Sequence, residues 1–294
     1  MKIKRFYQIG HLIIGIEMPV GLPVPENMTL FSISEDEARE KGIHRKYCID
    51  ITEKFPEIEK ELYDKHPNIK VMERPDLKVL YTPEMECRGV RFAGDSEPYA
   101  IHLDKAGEPV QAWVHPKVLD YLPKVSIFLS LLGLEKEMVR LSSMAFHSAY
   151  IMKGGKAILF SAPSGTGKST QASLWEQYRG AKAINGDRSL LICDDGIWHA
   201  YGLPICGSSG ICHNETYPIG AIVMLYQSKE NRIRRLSGAE AVEKVISQMM
   251  VNTWDAEYIK NLQDLVQQLV KDVSVFELGC NISEDAVVCL ESVL

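Results

Sequence analysis

Residues 162–169 read Ala-Pro-Ser-Gly-Thr-Gly-Lys-Ser, a loop with the make-up of a phosphate cradle. The run before it, Lys156-Ala157-Ile158-Leu159-Phe160, predicts a buried strand. Residues 169–178 predict a helix, with Ala172, Leu174, Trp175 and Tyr178 as its apolar positions and Gly180 as its stop. Strand, tight loop and helix is the setting that gives such a loop its meaning. Gly165 and Gly167 let backbone N–H groups converge on an anion at the positive end of the helix. Ser164, Gly165, Thr166, Gly167, Lys168, Ser169 and Thr170 are therefore the expected nucleotide-binding residues. Lys168 would reach the β- and γ-phosphates, and the Ser169 hydroxyl would ligate Mg²⁺. The usual pattern has glycine where Ala162 stands, so that corner must adopt a conformation alanine tolerates.

Composition narrows the class. A chain of 294 residues, 46% hydrophobic and 24% charged, has the make-up of a globular protein with one large or two modest domains. Its net charge of −6 argues against a general nucleic-acid binder and offers nothing to an anionic membrane. Neither nucleic acid nor membrane is expected as a partner. Seven cysteines without framework spacing predict free thiols and a reducing, cytoplasmic setting. Cys206, Cys212 and His213 match no common zinc spacing and read as scattered thiols. The apolar run 12–16 behind a basic start is too short for a signal core, and no run reaches bilayer-spanning length.

Two domains are expected, a β-rich 1–135 that takes substrate or partner and a nucleotide-binding 136–294. In the first, 5–16, 29–34, 79–82, 89–93 and 99–103 are candidate strands, with a hairpin turn at 105–107. The charged stretch 35–61 reads as a solvated, partly helical excursion. Residues 116–134 read as a helix that Pro123 kinks or divides, and this marks the boundary. Past the loop, residues 183–184 lead into Asn185-Gly186-Asp187-Arg188, and strands 189–193 and 197–201 pair around Asp194-Asp195-Gly196. A strand at 221–226 precedes a helix opened by Ser237, with Glu240 completing a capping box. A helix over 255–270 carries Ile259, Leu262, Leu265, Val266 and Leu269 on one face. A strand at 273–278 and a short helix begun by Ser283 end the chain.

Two residues stand out for chemistry besides Lys168. Residues 144–152 are strand-like, and Lys153-Gly154-Gly155-Lys156 turns them straight back into the strand before the loop. With Gly154-Gly155 as a two-residue hairpin loop, 153 faces 156, and the same register sets His147 opposite Ala162 at the loop's mouth. A half-buried sheet histidine is the competing reading. Asp187 is the leading carboxylate, able to hold Mg²⁺ or to orient and deprotonate an attacking hydroxyl. Asp194 also follows an apolar run, but Asp195-Gly196 is a strong hairpin signal, which favours Asp187. The loop 202–214 either covers a ligand, with Ser208 or Ser209 touching phosphate or substrate, or is an exposed connector. Arg232, Arg234 and Arg235 either offset charge on a transferring phosphoryl group or serve the surface.

Together, His147, the hairpin, 162–169 and Asn185-Gly186-Asp187-Arg188 resemble HPr kinase/phosphorylase and its relatives, which share their catalytic fold with the phosphoenolpyruvate carboxykinases. The similarity is greater to a branch of kinase-like proteins that includes those phosphorylating lasso precursor peptides. It covers nearly the whole chain, strongly over 140–226. The resemblance implies a mixed α/β catalytic domain with a phosphate loop, behind a β-rich N-terminal domain. It also implies Lys168 on phosphates, Ser169 and Asp187 on metal, and His147 in the active-site wall. One departure stands out: the family commonly has two adjacent acids before the arginine, and here the first is Gly186. A segment for docking HPr is absent as well, which argues against HPr as substrate.

Two functions follow as expectations. The first is Mg²⁺-dependent transfer of the γ-phosphoryl group of ATP or GTP to a hydroxyl, on a peptide or protein serine or on a small alcohol, with His147, Lys168 and Asp187 as catalytic residues. The second is a non-catalytic, nucleotide-dependent module that binds a peptide or partner, which Gly186 favours. A carboxykinase is weaker, since its metal and carboxylate-binding set is not found in the sequence.

Overall fold

Alternating apolar side chains build two nine-stranded sheets, one in each of two units. The computed structural model describes residues 1–294. One unit is Met1–Glu137 with Asn252–Ala256, and the other is Met138–Val251 with Glu257–Leu294.

The first unit's strands are β1 (Lys2–Ile9), β2 (Leu12–Pro19), β3 (Ser32–Ile33), β4 (Arg45–Ile51), β5 (Lys70–Arg74), β6 (Leu77–Thr82), β7 (Met85–Val90), β8 (Ala100–Lys105) and β9 (Val110–Val114). They lie in the order β3-β1-β2-β4-β9-β8-β7-β6-β5, parallel at β2–β4 and β4–β9 and antiparallel elsewhere. Helix α1 (Glu35–Lys41) sets Ala38 against Phe6 and Ile13. Helix α2 (Ile58–Lys65) sets Ile58 and Leu62 against Leu80, Cys87 and Ile101.

Several expectations change here. Residues 5–16 are a hairpin rather than one strand, because Gly10 turns the chain at φ +58° and Ile9 faces Leu12. Of 29–34 only Ser32–Ile33 is strand, β3, while 29–31 end a 3₁₀ turn, Glu26–Phe31. The charged stretch 35–61 contains strand β4, whose buried Tyr47 and Ile49 lie between the charged Lys46 and Asp50. Pro123 divides 116–134 into a 3₁₀ turn, Pro116–Tyr121, and helix α3 (Val125–Ser130). Helix α4 (Glu135–Arg140) follows.

The second unit holds β10 (Ser143–His147), β11 (Ala149–Lys153), β12 (Lys156–Ser161), β13 (Lys182–Asn185), β14 (Arg188–Asp194), β15 (Ile197–Gly202), β16 (Thr216–Gln227), β17 (Arg232–Leu236) and β18 (Val275–Cys280). Strand β16 is the spine. Its start pairs with β15, its end runs parallel to β18, and its other edge runs parallel to β12. Helices α5 (Lys168–Arg179) and α8 (Glu284–Glu291) cover one face, over Ile151, Ile158, Phe160 and Val223. Helices α6 (Gly238–Ile246) and α7 (Ala256–Asp272) cover the other, over Tyr150, Leu159, Ile222 and Met224. Neighbouring residues of one strand thus fall into opposite cores, the period of two that a doubly covered sheet requires.

The capping box at Ser237 does not form. Glu240 gives both carboxylate oxygens to Arg234 on β17, and Ser237 makes no side-chain cap. The stretch 144–152 is two strands rather than one. The Gly154-Gly155 turn, with φ of +59° and +76°, sets Lys153 opposite Lys156 and holds that register to Ala149 opposite Phe160. At Ser148 the chain leaves β12, and β10 pairs with β14 instead, so His147 faces Arg188 and not Ala162. All seven cysteines are free thiols, and no helix is long and apolar enough to cross a membrane.

Candidate phosphate-binding site

Strand β12 ends at Ser161, residues 162–167 turn, and α5 begins at Lys168. Gly165 and Gly167 have φ of +79° and +118°, and a Cβ built on either would meet nothing within 4 Å. Only the backbone, not space, demands glycine there, and the surface above both is open. Ala162 is buried and is not among the residues with positive φ, so alanine is tolerated at the corner. Ser164 and Ser169 are exposed, while Thr166 and Thr170 are half-buried.

Lys168 is only 8% exposed, and its Nζ donates to the Ala162 carbonyl at 2.9 Å. Burial pushes its pKa down, the charge of Asp187 pushes it back up, and Arg188 lowers it again. Such a cation, under-solvated and folded over its own loop, is primed to gain from an anion.

Asp187 and His147 come from different strands to the same place. His147 Nε2 lies 3.4 Å from Asp187 Oδ1, and Arg188 Nε lies 3.6 Å from Asp187 Oδ2. The His147 imidazole holds the Asp187 carboxyl below its usual range; partial burial opposes this, and Arg188 and Lys168 reinforce it. The His147 backbone is fixed on both sides, its N–H donating to the Gln248 carbonyl at 3.0 Å and its carbonyl accepting from Ser161 Oγ at 2.7 Å. His147, Lys168 and Asp187 therefore form one cluster, although the strand register that brings His147 there is not the expected one.

Asn185 organises the turn that carries Asp187. Fully buried, it accepts at Oδ1 from the N–H groups of Asp187 and Arg188, at 2.9 and 3.0 Å, and donates from Nδ2 to the Leu203 carbonyl at 2.7 Å. This is the Asx-type bonding that asparagine offers before a turn, and the sequence Asn185-Gly186-Asp187 carries that signal unread. Packing holds position 186 to glycine. A Cβ there would lie 1.8 Å from Ser209 Oγ and 3.2 Å from the Cys206 carbonyl oxygen. Ser209 belongs to a short 3₁₀ turn, Gly207–Ser209, and its Oγ donates to the Cys206 carbonyl at 2.8 Å. A Cβ at Gly207 would in turn crowd the Asp187 side chain, at 3.0 Å from its Cβ. The loop 206–211 thus lies against Gly186-Asp187 and fills the space a second acid would need.

The other candidates lie elsewhere. Asp194 closes the β14–β15 hairpin and accepts from Tyr201 Oη at 2.6 Å, and its turn residues Asp195 and Gly196 have φ of +50° and +79°. Arg234 is bound by Glu240 and Glu277. No group of three or more His, Cys, Asp and Glu side chains is arranged to hold a metal. Ser169 and Asp187 carry oxygen donors that would hold Mg²⁺ together with phosphate oxygens and water, the usual way this ion is held.

No curated protein matches the chain. Among solved structures it is similar to the Hpr(Ser) kinase/phosphatase from Coxiella burnetii, at 8% identity over 50% of this chain and 94% of that one, with a TM-score of 0.31. A likeness that faint carries no argument. The sequence model described as SynChlorMet cassette protein ScmC matches residues 116–287, more than half of the 294. The chain belongs to the ScmC family.

Proposed function

We propose that this protein is a kinase that moves the γ-phosphoryl group of ATP or GTP to a hydroxyl, on a fold of the HPr-kinase kind with 162–169 as its phosphate loop. The observation that carries the reading is the cluster at the loop: a buried lysine under-solvated for its charge, beside a carboxylate tied to an imidazole. Bound Mg²⁺-nucleotide would supply the transferable group and part of the charge neutralisation. The backbone N–H groups of 164–168 would hold phosphate oxygens at the positive end of α5. Lys168 would exchange the Ala162 carbonyl for the β- and γ-phosphates. Asp187, whose ionised form His147 favours, suits metal binding and orientation of the acceptor better than proton removal, because lowering a carboxyl's pKa weakens it as a base. That division suffices for a loose transition state, which needs positioning and charge neutralisation more than a strong base. The acceptor oxygen forms the new bond to phosphorus as the bond to the β-phosphate oxygen breaks, and the acceptor's proton leaves late to His147 or solvent.

A cleft of about 390 Å³ next to the start of the loop, lined by Ser161, Pro163, Tyr226, Lys244 and Gln248, offers room for an acceptor; Gln248, whose carbonyl accepts from the His147 N–H, links it to the strand that carries His147. The family's description as a cassette protein is compatible with an acceptor made by another protein of the same cassette, a peptide serine among the choices.

The test is Mg²⁺-dependent transfer from γ-labelled ATP and GTP to a panel of peptides, small alcohols and water. Label should reach an acceptor and disappear in Lys168→Ala and Asp187→Ala. Retained transfer in Asp187→Ala would remove its assigned role. The second reading, a nucleotide-dependent binding module, draws on Gly186 and the absent second acid, and predicts nucleotide binding with no transfer across the panel.

A further inference from the structure

We infer that the cleft at the carboxyl ends of β12, β16 and β18 is a nucleoside subsite, with Gln171 as the residue that reads the nucleoside. This rests on the proposal that 162–169 hold its phosphates. The three strands run parallel, and a crevice of about 630 Å³ lies between the loop that follows β12 and the ends of β16 and β18. Ligands of open α/β sheets bind at the carboxyl ends of parallel strands. The crevice is continuous with the phosphate loop, since Gly165, Thr166, Gly167 and Thr170 form one wall, while Gln227 and Cys280 end the strands opposite. A triphosphate on that loop would extend its sugar and base into this space.

Gln171 supplies the second, independent observation. It is 3% exposed, lines the crevice, and its Oε1 has no hydrogen-bond partner. The orientation of the amide is fixed, because Nε2 donates to the Asn281 carbonyl at 3.2 Å, and a carbonyl can only accept. A buried acceptor without a donor costs free energy, and a ligand bringing an N–H or O–H recovers it. A nucleoside carries such donors on its ribose hydroxyls and on a base amino group. The crevice also has an apolar rim suited to the face of a base: Ile282 is 78% exposed beside Cys280. The rim is held in place rather than loose. Asn231 Oδ1 accepts from the Asn281 N–H at 3.0 Å, and Asn281 Nδ2 donates to the Lys229 carbonyl at 3.1 Å. These bonds tie the loops after β16 and β18 together.

The experiment compares the affinity of Mg²⁺-ATP and Mg²⁺-tripolyphosphate by calorimetry for wild type, Gln171→Leu and Ile282→Asp. Wild type should bind ATP at least about tenfold more tightly than tripolyphosphate, and Gln171→Leu should lose about tenfold for ATP alone, the worth of one buried hydrogen bond. Ile282→Asp, at an exposed position that leaves folding untouched, should also weaken ATP and spare tripolyphosphate. If the Gln171→Leu effect vanishes with 2′-deoxy-ATP the donor is the ribose, and if it vanishes with purine-riboside triphosphate it is the base amino group; either supports the assignment. An ATP-to-tripolyphosphate ratio unchanged in both variants overturns the subsite and leaves the phosphate loop standing. Wild type that binds neither ligand overturns both.

Discussion

Lys168 shows how a single residue sets stability against function. Its pKa in the folded protein lies below the ordinary 10.5. Burying the charged form costs stability. As pH rises towards 10.5 the folded state sheds the proton first, so the cost is relieved. Lys168→Met should therefore melt at or above the wild-type temperature at pH 7 while losing nucleotide binding, as calorimetry will read. Gly186 makes the complementary point. Gly186→Ala drives a methyl into Ser209 Oγ and should cost about 1–3 kcal/mol in urea unfolding. Most of that should return in Gly186→Ala/Ser209→Gly, because the remaining contact, the Cys206 carbonyl at 3.2 Å, is mild. An undiminished cost in the double variant would contradict the packing described. The missing second acid is thus a steric property of this chain's loop 206–211.

At the scale of elements, local signals were readable and long-range ones were not. The Gly154-Gly155 turn fixes the β11–β12 register because two-residue loops leave no slack. That register fails beyond Ala149 because β10 is captured by β14, which lies some forty residues further along the chain. Ser237 and Glu240 have capping-box spacing, yet Arg234 on the adjacent strand competes for the carboxylate and wins. Strand β4 hid among charges because only alternate positions are buried. The strand, loop and helix around Lys168 and the turn that carries Asp187 were legible from the sequence, but the role of Asn185 was not, since one of its partners, Leu203, comes from beyond the next hairpin. Asn185→Ala strips the N–H groups of Asp187 and Arg188 of their acceptor. It should cost about 1–3 kcal/mol in unfolding free energy. Phosphoryl transfer should fall by more than nucleotide affinity, because Asp187 is displaced while the loop is intact.

At the scale of the molecule, each unit has its own sheet and its own sensitivity. In the first, His102 is buried on β8 with Nδ1 donating to the Leu131 carbonyl at 2.9 Å. Burial, then the charge of Arg88, pushes its pKa down to about 4 from 6.5. Between those values the unfolded chain takes up a proton that the folded one refuses, so stability falls as pH drops through this window. The loss is on the order of 3 kcal/mol once pH reaches the lower end. Urea unfolding at pH 7 and pH 4.5 should show it, and His102→Gln should remove most of the pH dependence. A loss of the same size in His102→Gln would assign the acid sensitivity to other groups. The second unit carries the proposed phosphate-loop site.

Whether residues 162–169 hold the phosphates of a nucleotide can be tested without knowing the acceptor. The measurement is calorimetric binding of a non-hydrolysable ATP or GTP analogue with Mg²⁺ to wild type and Lys168→Met. Saturable one-to-one binding, weakened about a hundredfold or more in Lys168→Met, is the predicted result, since that variant removes a charge-assisted contact to two phosphates. Equal affinity in the two proteins, or no binding to wild type, would contradict the account.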